Sequence, residues 1–428
     1  MTIKAFHWDN PPFHWDNPYP RQRRTGVILG DSLMSITNIN TTRMPSQSVW
    51  NAVNTVLGQK LYILSYSAVG GNTLAQMAAR YDTDVGTYNP DYVIILLAGG
   101  NTLTTATALS DADTAWATMK GMIDKAIVAG SKVIITPAPP SSSYDSQTKI
   151  DVRDKYNYLL ASYASVNNEN IIYIDPVSKH MLDSAAYPSW DTNLSDDNVH
   201  LYSATGLSGC WIVGKTIADM LDPYLEDFNP FADYRLSKPG VTNPIMYGTN
   251  AVAMGDEPDS WTAGKSAALT GTAAKVARSD SLPGEWAQLT VTDSTGAGEF
   301  IRYTNSTNVS LADAGLAAGD VIQAFVEYEY DDNPTELQAI GGGARIVDPV
   351  GGNIDLTLNW VGSGEEYRVG NGAYGVMASP PYEIPADATH VYFTSIYATA
   401  DAASAAFVVR FGRTAIRKID HPVTEINQ

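Results

Sequence analysis

The chain has 428 residues, 44% of them apolar and only 17% charged, with a formal net charge of -19. That length favours two or three domains over one core, and the apolar content excludes a disordered chain. The acidic balance argues against nucleic-acid or anionic-membrane partners, because no basic surface is available to replace counterions. No run reaches the roughly 18 apolar residues of a membrane span, so no membrane insertion is expected. The N-terminal stretch Met1–Phe6 lacks the apolar core of a secretory signal. A chain working outside a cell is therefore expected to leave by another route, for example as part of a virus particle. The single cysteine, Cys210, permits no intrachain disulfide and sits in the apolar stretch Leu207–Val213, where it reads as a buried structural thiol.

Residues 1–24 carry a direct repeat, Phe6-His7-Trp8-Asp9-Asn10-Pro11 and Phe13-His14-Trp15-Asp16-Asn17-Pro18, followed by Tyr19-Pro20-Arg21-Gln22-Arg23-Arg24. Prolines among aromatics cannot form a helix or a central strand, so an extended arm is expected. Its aromatic rings suit docking on the protein's own body or on a neighbouring subunit. The two His-x-Asp pairs have no companions at ligand spacing, and neither a metal nor another cofactor is expected.

From residue 25 to 228, short apolar runs alternate with segments of helical period. Strands are predicted at Gly26–Leu29, Leu61–Leu64, Tyr92–Leu97, Lys132–Thr136 and Ile171–Ile174. Helices are predicted near Ser48–Leu57, Leu74–Tyr81, Ala112–Ala129 and Lys149–Ser165, with a last one from about Ser203 to Leu221. In the third helix Trp116, Met119, Ile123 and Ile127 recur at steps of three and four, which predicts one buried face. Such alternation implies an α/β domain, a parallel sheet covered on both faces. Asn229-Pro230, Lys238-Pro239-Gly240 and Asn243-Pro244 then punctuate a linker at 229–244. Over 245–428 the pattern is of strands: Ala287–Thr292, Glu299–Thr304, Val321–Tyr330, Ile354–Trp360, Val391–Ala398 and Ala406–Phe411. Within Val321–Tyr330, Ile322, Ala324, Val326, Tyr328 and Tyr330 alternate with Gln323, Phe325, Glu327 and Glu329, which predicts a half-buried strand. Strands separated by Gly, Asp, Asn and Pro turns indicate an antiparallel sandwich of the jelly-roll kind.

The chemistry centres on Gly26-Val27-Ile28-Leu29-Gly30-Asp31-Ser32-Leu33, which leaves Ser32 just past the end of a buried strand, at the sheet edge where ligands bind. A serine hydroxyl needs a neighbouring base to become a nucleophile, and histidine suits that role. Of six histidines, His7 and His14 fall in the arm and His390 and His421 in or after the sandwich region, leaving His180 and His200. His200 precedes the final helix and follows the last strand, so its loop shares an edge with the Ser32 loop. Asp197, three residues earlier, can orient the imidazole, although Asp196 and Asp197 read equally well as a solvated acidic loop. Acyl transfer also needs donors for the developing oxyanion. Two loops suit this: Val69-Gly70-Gly71-Asn72-Thr73, through backbone N–H groups, and Ala98-Gly99-Gly100-Asn101-Thr102, through a side-chain amide.

Gly30-Asp31-Ser32-Leu33, a glycine after the second strand, Gly99-Gly100-Asn101, and Asp197-x-x-His200 occur in the order and on the strand ends of the SGNH, or GDSL, hydrolase family, which this region resembles. The resemblance implies a flavodoxin-like three-layer αβα fold and a serine esterase mechanism. It implies Ser32 as nucleophile, His200 as base and Asp197 as its orienting carboxylate. It further implies an oxyanion hole of the Ser32 N–H, the Gly71 N–H and the Asn101 side chain, with Gly70 adjacent to Gly71. This chain departs from the family in having Thr102 where aspartate often follows the asparagine. It also reads Ser65-Tyr66-Ser67 where an asparagine often precedes the glycine. Both departures bear on substrate contacts more than on the chemistry. The sandwich resembles, more loosely, carbohydrate-binding modules and accessory domains of phage tail proteins. Trp261, Trp286 and Trp360 are its candidates for stacking on sugar rings, with core packing as the alternative.

These readings converge on a serine esterase that removes acyl groups, in particular O-acetyl groups, from a polysaccharide or other acylated glycan. The arm and the appended sandwich suggest a homo-oligomeric phage particle component acting on a host capsule or O-antigen, at the virion surface or in another extracellular setting, in contact with other virion subunits through residues 1–24. A receptor-binding protein that holds glycan without cleaving it is the rival from another class. A lipase or thioesterase would call for a broad apolar groove, which Ser35, Thr37 and Asn38 beside Ser32 do not favour.

Overall fold

A computed structural model describes residues 23–35, 49–183, 187–191, 194–195, 197–201, 209–228, 230–231, 242–243, 250–252, 255–257, 261–278, 285–305, 308–331, 337–358 and 373–419. Among these, Arg23–Asp227 form one unit and the residues from Phe228 onward form another. Residues 1–22 of the arm, most of the linker, Asp196, Trp360 and the start proposed for the last helix at Ser203 lie outside the described residues. The arm's last two residues differ from the expectation, as Arg23 is buried and Arg24 opens the first strand.

The first unit runs β1 (Arg24–Gly30), α1 (Val49–Val56), β2 (Leu61–Ala68), α2 (Leu74–Tyr81), β3 (Tyr92–Ile95), α3 (Gly100–Leu103), α4 (Asp111–Val128), β4 (Lys132–Ile135), α5 (Gln147–Val166), β5 (Ile171–Tyr173), α6 (Val177–His180), β6 (Met181–Asp183), β7 (Pro188–Trp190) and α7 (Gly209–Leu221). The first five strands pair in the order β2-β1-β3-β4-β5, all parallel. This is the flavodoxin-like order, whose switch point lies between β1 and β3. Val27–Leu29, Val93–Ile95 and Val133–Ile135 are buried throughout, the unbroken apolar runs of strands covered on both faces. β6 and β7 form a separate antiparallel pair ahead of the loop that bears His200.

α4 turns a slightly different face inward from the one its periodicity suggested. Ala112, Ala115, Met119, Met122, Ile123 and Ala126 are its buried residues, while Trp116 and Ile127 lie at the margin. Small alanines allow close approach to the sheet, and Trp116 packs edge-on against Tyr163 of α5 instead.

The second unit consists mainly of antiparallel strands in two sheets, with one parallel contact between Gly255–Glu257 and Thr270–Ala277, consistent with a β-sandwich. One sheet has Val321–Tyr330 and Phe407–Lys418 at its centre, and the other has Leu337–Val347 and His390–Ala400. Val321–Tyr330 is not the half-buried strand that its alternation predicted, because Gln323, Phe325 and Glu327 are buried as well. Phe325 lies in a cluster with Phe231, Val376 and Ala415. Glu327 receives paired hydrogen bonds of 2.8–3.0 Å from the guanidinium groups of Arg278 and Arg413. Burial alone would raise its pKa, but the two cations outweigh that and pull it down to about 2.

Trp261 and Trp286 are not available for sugar stacking: they are only 3% and 5% exposed. Trp261 sits beside Phe393, with ring centroids 6.3 Å apart, and the Arg278 guanidinium covers the Trp286 ring at 4.0 Å. Neither strand is enclosed throughout, since Thr262 and Thr292 are exposed; each ring is buried by the particular neighbour that covers it.

Replacing Glu327 by Ala leaves Arg278 and Arg413 buried without their counter-charge. It is expected to destabilise the protein by about 3–5 kcal/mol, read as a lower urea midpoint at neutral pH.

Candidate active site

The Ser32 turn is built from its own backbone. The Met34 N–H donates to the Asp31 carbonyl oxygen at 3.2 Å and the Ser35 N–H to the Ser32 carbonyl oxygen at 3.3 Å, while the buried Asp31 carboxylate accepts from the Leu33 N–H at 3.1 Å. The loop after β2 ends in a capping box on α2: Thr73 Oγ1 accepts from the Gln76 N–H, and the Thr73 N–H donates to Gln76 Oε1 at 2.8 Å. Gly71 in that loop has φ +76°, and Gly99, which leads into α3, has φ +106°; both lie in the left-handed region that glycine fills without penalty.

The loops after β2 and β3 are tied together twice. The Leu74 N–H at the start of α2 donates to Thr102 Oγ1 at 2.8 Å, and Asn101 Nδ2 donates to the Asn72 carbonyl oxygen at 3.1 Å. Thr102 thus caps a neighbouring helix. An amide nitrogen has two hydrogens, so Asn101 keeps one N–H beyond its bond to Asn72.

His200 is held by its surroundings before its ring makes any contact. Trp190 Nε1 donates to the Val199 carbonyl oxygen at 3.1 Å, the Ser142 N–H donates to the Asn198 carbonyl oxygen at 3.2 Å, and the Cys210 N–H donates to the Leu201 carbonyl oxygen at 3.0 Å. The Cys210 thiol donates to that same carbonyl at 3.1 Å, and desolvation pushes its pKa up to about 12, which keeps it neutral. Asp197 Oδ1 accepts from the N–H groups of Val199 and His200 at 2.8 and 2.7 Å, and from Ser195 Oγ at 3.2 Å.

The ring of His200 bridges the two remaining groups. Its Nδ1 lies 2.7 Å from Asp197 Oδ2 and its Nε2 lies 3.0 Å from Ser32 Oγ. An ionised carboxylate only accepts, so Nδ1 carries the hydrogen, and the lone pair on Nε2 faces the serine hydroxyl. Asp197 is ionised because its donors overcome its desolvation: burial raises its pKa, but the His200 ring and the two backbone N–H groups pull it down to about 2. The His200 and Asp197 side chains are 31% and 37% exposed, open enough for a substrate to reach them. The arrangement can take a proton from Ser32 and hand it on.

The structure therefore brings Ser32, His200 and Asp197 together and places Gly71 and Asn101 on adjacent loops at the same sheet edge. His180 lies elsewhere, with Nε2 2.7 Å from Thr216 Oγ1. Arg80, whose guanidinium reaches three segments around the site, has no counterpart in the sequence reading, because a helix arginine bonded to main-chain carbonyls leaves no pattern of residue types. Among the described residues, no group of three or more His, Cys, Asp or Glu side chains is arranged to hold a metal ion.

Residues 28–205 match the family model described as GDSL-like Lipase/Acylhydrolase family. Among solved structures, a GDSL-like lipase from Bacteroides thetaiotaomicron VPI-5482 is 16% identical over 47% of this chain and 89% of its own, with a TM-score of 0.35. A lipase/acylhydrolase from Enterococcus faecalis is 18% identical over 48% of this chain and 99% of its own, with a TM-score of 0.35. A catalytic mutant of an acetylxylan esterase from Geobacillus stearothermophilus is 16% identical over 47% and 93%, with a TM-score of 0.34. No curated protein matches the chain.

Asp31 titrates in the opposite sense from Asp197. Burial raises its pKa to about 6, against the lowering effect of the Leu33 and Gly99 N–H groups and of His200. A folded-state pKa above the unfolded one means stability that is full below the unfolded value and lost as pH rises through about 6. The loss amounts to about 3 kcal/mol. Asp31→Asn removes this titration, so its stability relative to wild type should improve between pH 4 and 8. Urea midpoints of the two proteins that run parallel across this range would contradict the assignment.

Proposed function

We propose that this chain, which carries a GDSL/SGNH hydrolase domain over residues 28–205, is a serine esterase that removes O-acetyl groups from a polysaccharide. The observation that carries the reading is the continuous line of Ser32 Oγ, His200 Nε2, His200 Nδ1 and Asp197 Oδ2, with contacts of 3.0 and 2.7 Å.

In this reading Ser32 Oγ attacks the ester carbonyl carbon while His200 Nε2 takes the hydroxyl proton. The imidazolium that forms is stabilised by Asp197, which already holds the ring's other nitrogen. Negative charge collects on the former carbonyl oxygen, where the Ser32 N–H, the Gly71 N–H and the second N–H of Asn101 donate to it. His200 then protonates the departing sugar oxygen as the C–O bond breaks, leaving an acyl-serine. Water attacks the acyl carbon, its proton going to His200 and from there to Ser32 Oγ, and acetate leaves. The sugar substrate is supported by the appended β-strand unit, the kind of domain that accompanies glycan-active enzymes, and by the acidic chain, which repels anionic polymers. From the aromatic arm and the appended β-strand unit we further propose a phage particle component or another extracellular setting, as a homo-oligomer contacting other subunits through residues 1–24.

Two measurements test the reading. Wild-type protein should hydrolyse p-nitrophenyl acetate, Ser32→Ala should lose about 10⁴-fold or more, and Asn101→Ala about 10²–10³-fold. Equal turnover by wild type and Ser32→Ala would leave a glycan-binding protein without hydrolysis. The rate should also fall on acidification, since an imidazolium cannot accept the serine proton. Asp197 stays ionised well below that range, but Asp31 changes charge near pH 6, so the profile is compared in Asp31→Asn. An acid limb that persists in that variant belongs to His200, and a rate flat from about pH 8 to 4 removes His200 as the base.

A further inference from the structure

Arg80 stands in the last turn of α2, a position where a basic residue ordinarily points to solvent and complements the helix dipole. Here its side chain is only 19% exposed, and its N–H groups are directed inward. Nη2 donates to the Gly30 carbonyl oxygen at 2.7 Å, Nη1 to the Ser67 carbonyl oxygen at 2.8 Å, and Nε to Asn72 Oδ1 at 3.0 Å. Nη1 also pairs with Asp84 in the π-helical turn that follows α2, so the cation is balanced on its outer side.

These three contacts fall on the segments from which the proposed oxyanion donors project. Gly30 is the last residue of β1, two before Ser32, and its carbonyl also accepts the Val69 N–H at 3.1 Å. Ser67 lies at the end of β2, ahead of Gly70 and Gly71. Asn72 accepts Arg80 on its side chain and Asn101 on its backbone carbonyl, so the guanidinium reaches the third donor through a single residue. Beyond the last rungs of a sheet the strand ends are free to splay, and a planar guanidinium fork fixes the relative positions of several acceptors at once. A lysine ammonium has no such fork.

We propose that Arg80 is a positioning residue that holds the ends of β1 and β2 and the Asn72–Asn101 link in the register the oxyanion donors require. The proposal rests on the esterase reading above. Arg80 acts through the groups it holds, and the His200–Asp197 arm makes no contact with it.

The test uses the full chain with Arg80→Lys, Arg80→Ala and, for one arm of the fork alone, Asn72→Ala. On p-nitrophenyl acetate, both Arg80 variants should lose about 10²-fold in kcat with KM close to wild type and an acid limb of unchanged position. Amide hydrogen exchange should quicken at residues 30–33 and 67–73 while the remaining strands keep their protection. If Arg80→Ala does not fold, Arg80→Lys carries the test, since it keeps the charge and loses the fork. Wild-type kcat in Arg80→Lys overturns the proposal, as does a rise in KM without a fall in kcat. Unchanged exchange in the two segments overturns it independently of any turnover. The esterase reading fails by a different result, equal rates for wild type and Ser32→Ala, and exchange then still decides whether Arg80 holds these loops.

Discussion

The 3.0 Å contact between Ser32 Oγ and His200 Nε2 joins residues 168 positions apart in the chain, and the parallel-sheet unit is arranged around it. Parallel strands all end at one edge, so the loops after β1, β2 and β3 gather there without further design. The histidine arrives differently, on a loop beyond the fifth strand whose main-chain carbonyls accept hydrogen bonds from Trp190, Ser142 and the first turn of α7. A hydrogen bond of this length tolerates little drift in either partner, which accounts for the density of backbone contacts on both loops.

Buried charge is managed in two contrasting ways. Glu327 is desolvated but faces two guanidinium groups, and stays ionised. Asp31 is desolvated with backbone donors and the His200 imidazole too weak to offset it, and its pKa rises toward neutrality. The first arrangement ties together strands of the second unit. The second places a titrating carboxyl one residue from the proposed nucleophile, so the acid behaviour of the two groups must be separated by mutation.

Much of this was legible in the residues themselves. The strand runs at Val27–Leu29, Val93–Ile95 and Val133–Ile135 are apolar without interruption, which is the signature of a sheet covered on both sides. Leu74–Tyr81 has its start marked by the capping Thr73 before it. Asp197 and His200 are three residues apart, so their pairing is a local matter of one turn of chain. The polar contacts of Arg80 were not legible, because carbonyl oxygens of Gly30 and Ser67 are present at every residue and only the fold selects these two.

The sequence by itself determined the class of the first unit, the strand-rich character of the second, and the residue types set at each strand end, since periodicity and glycine placement are local properties. Tertiary structure alone decided which side chains face solvent and which polar groups meet. Trp261 and Trp286 became buried because Phe393 and the Arg278 guanidinium pack on their rings, and the inner face of α4 shifted because alanines fit the sheet where Trp116 does not. Glu327 found partners 49 and 86 residues away, and Arg80 a carbonyl 50 residues away. Separations of that order are set by how strands and helices stack, and nothing in the neighbouring residues records them.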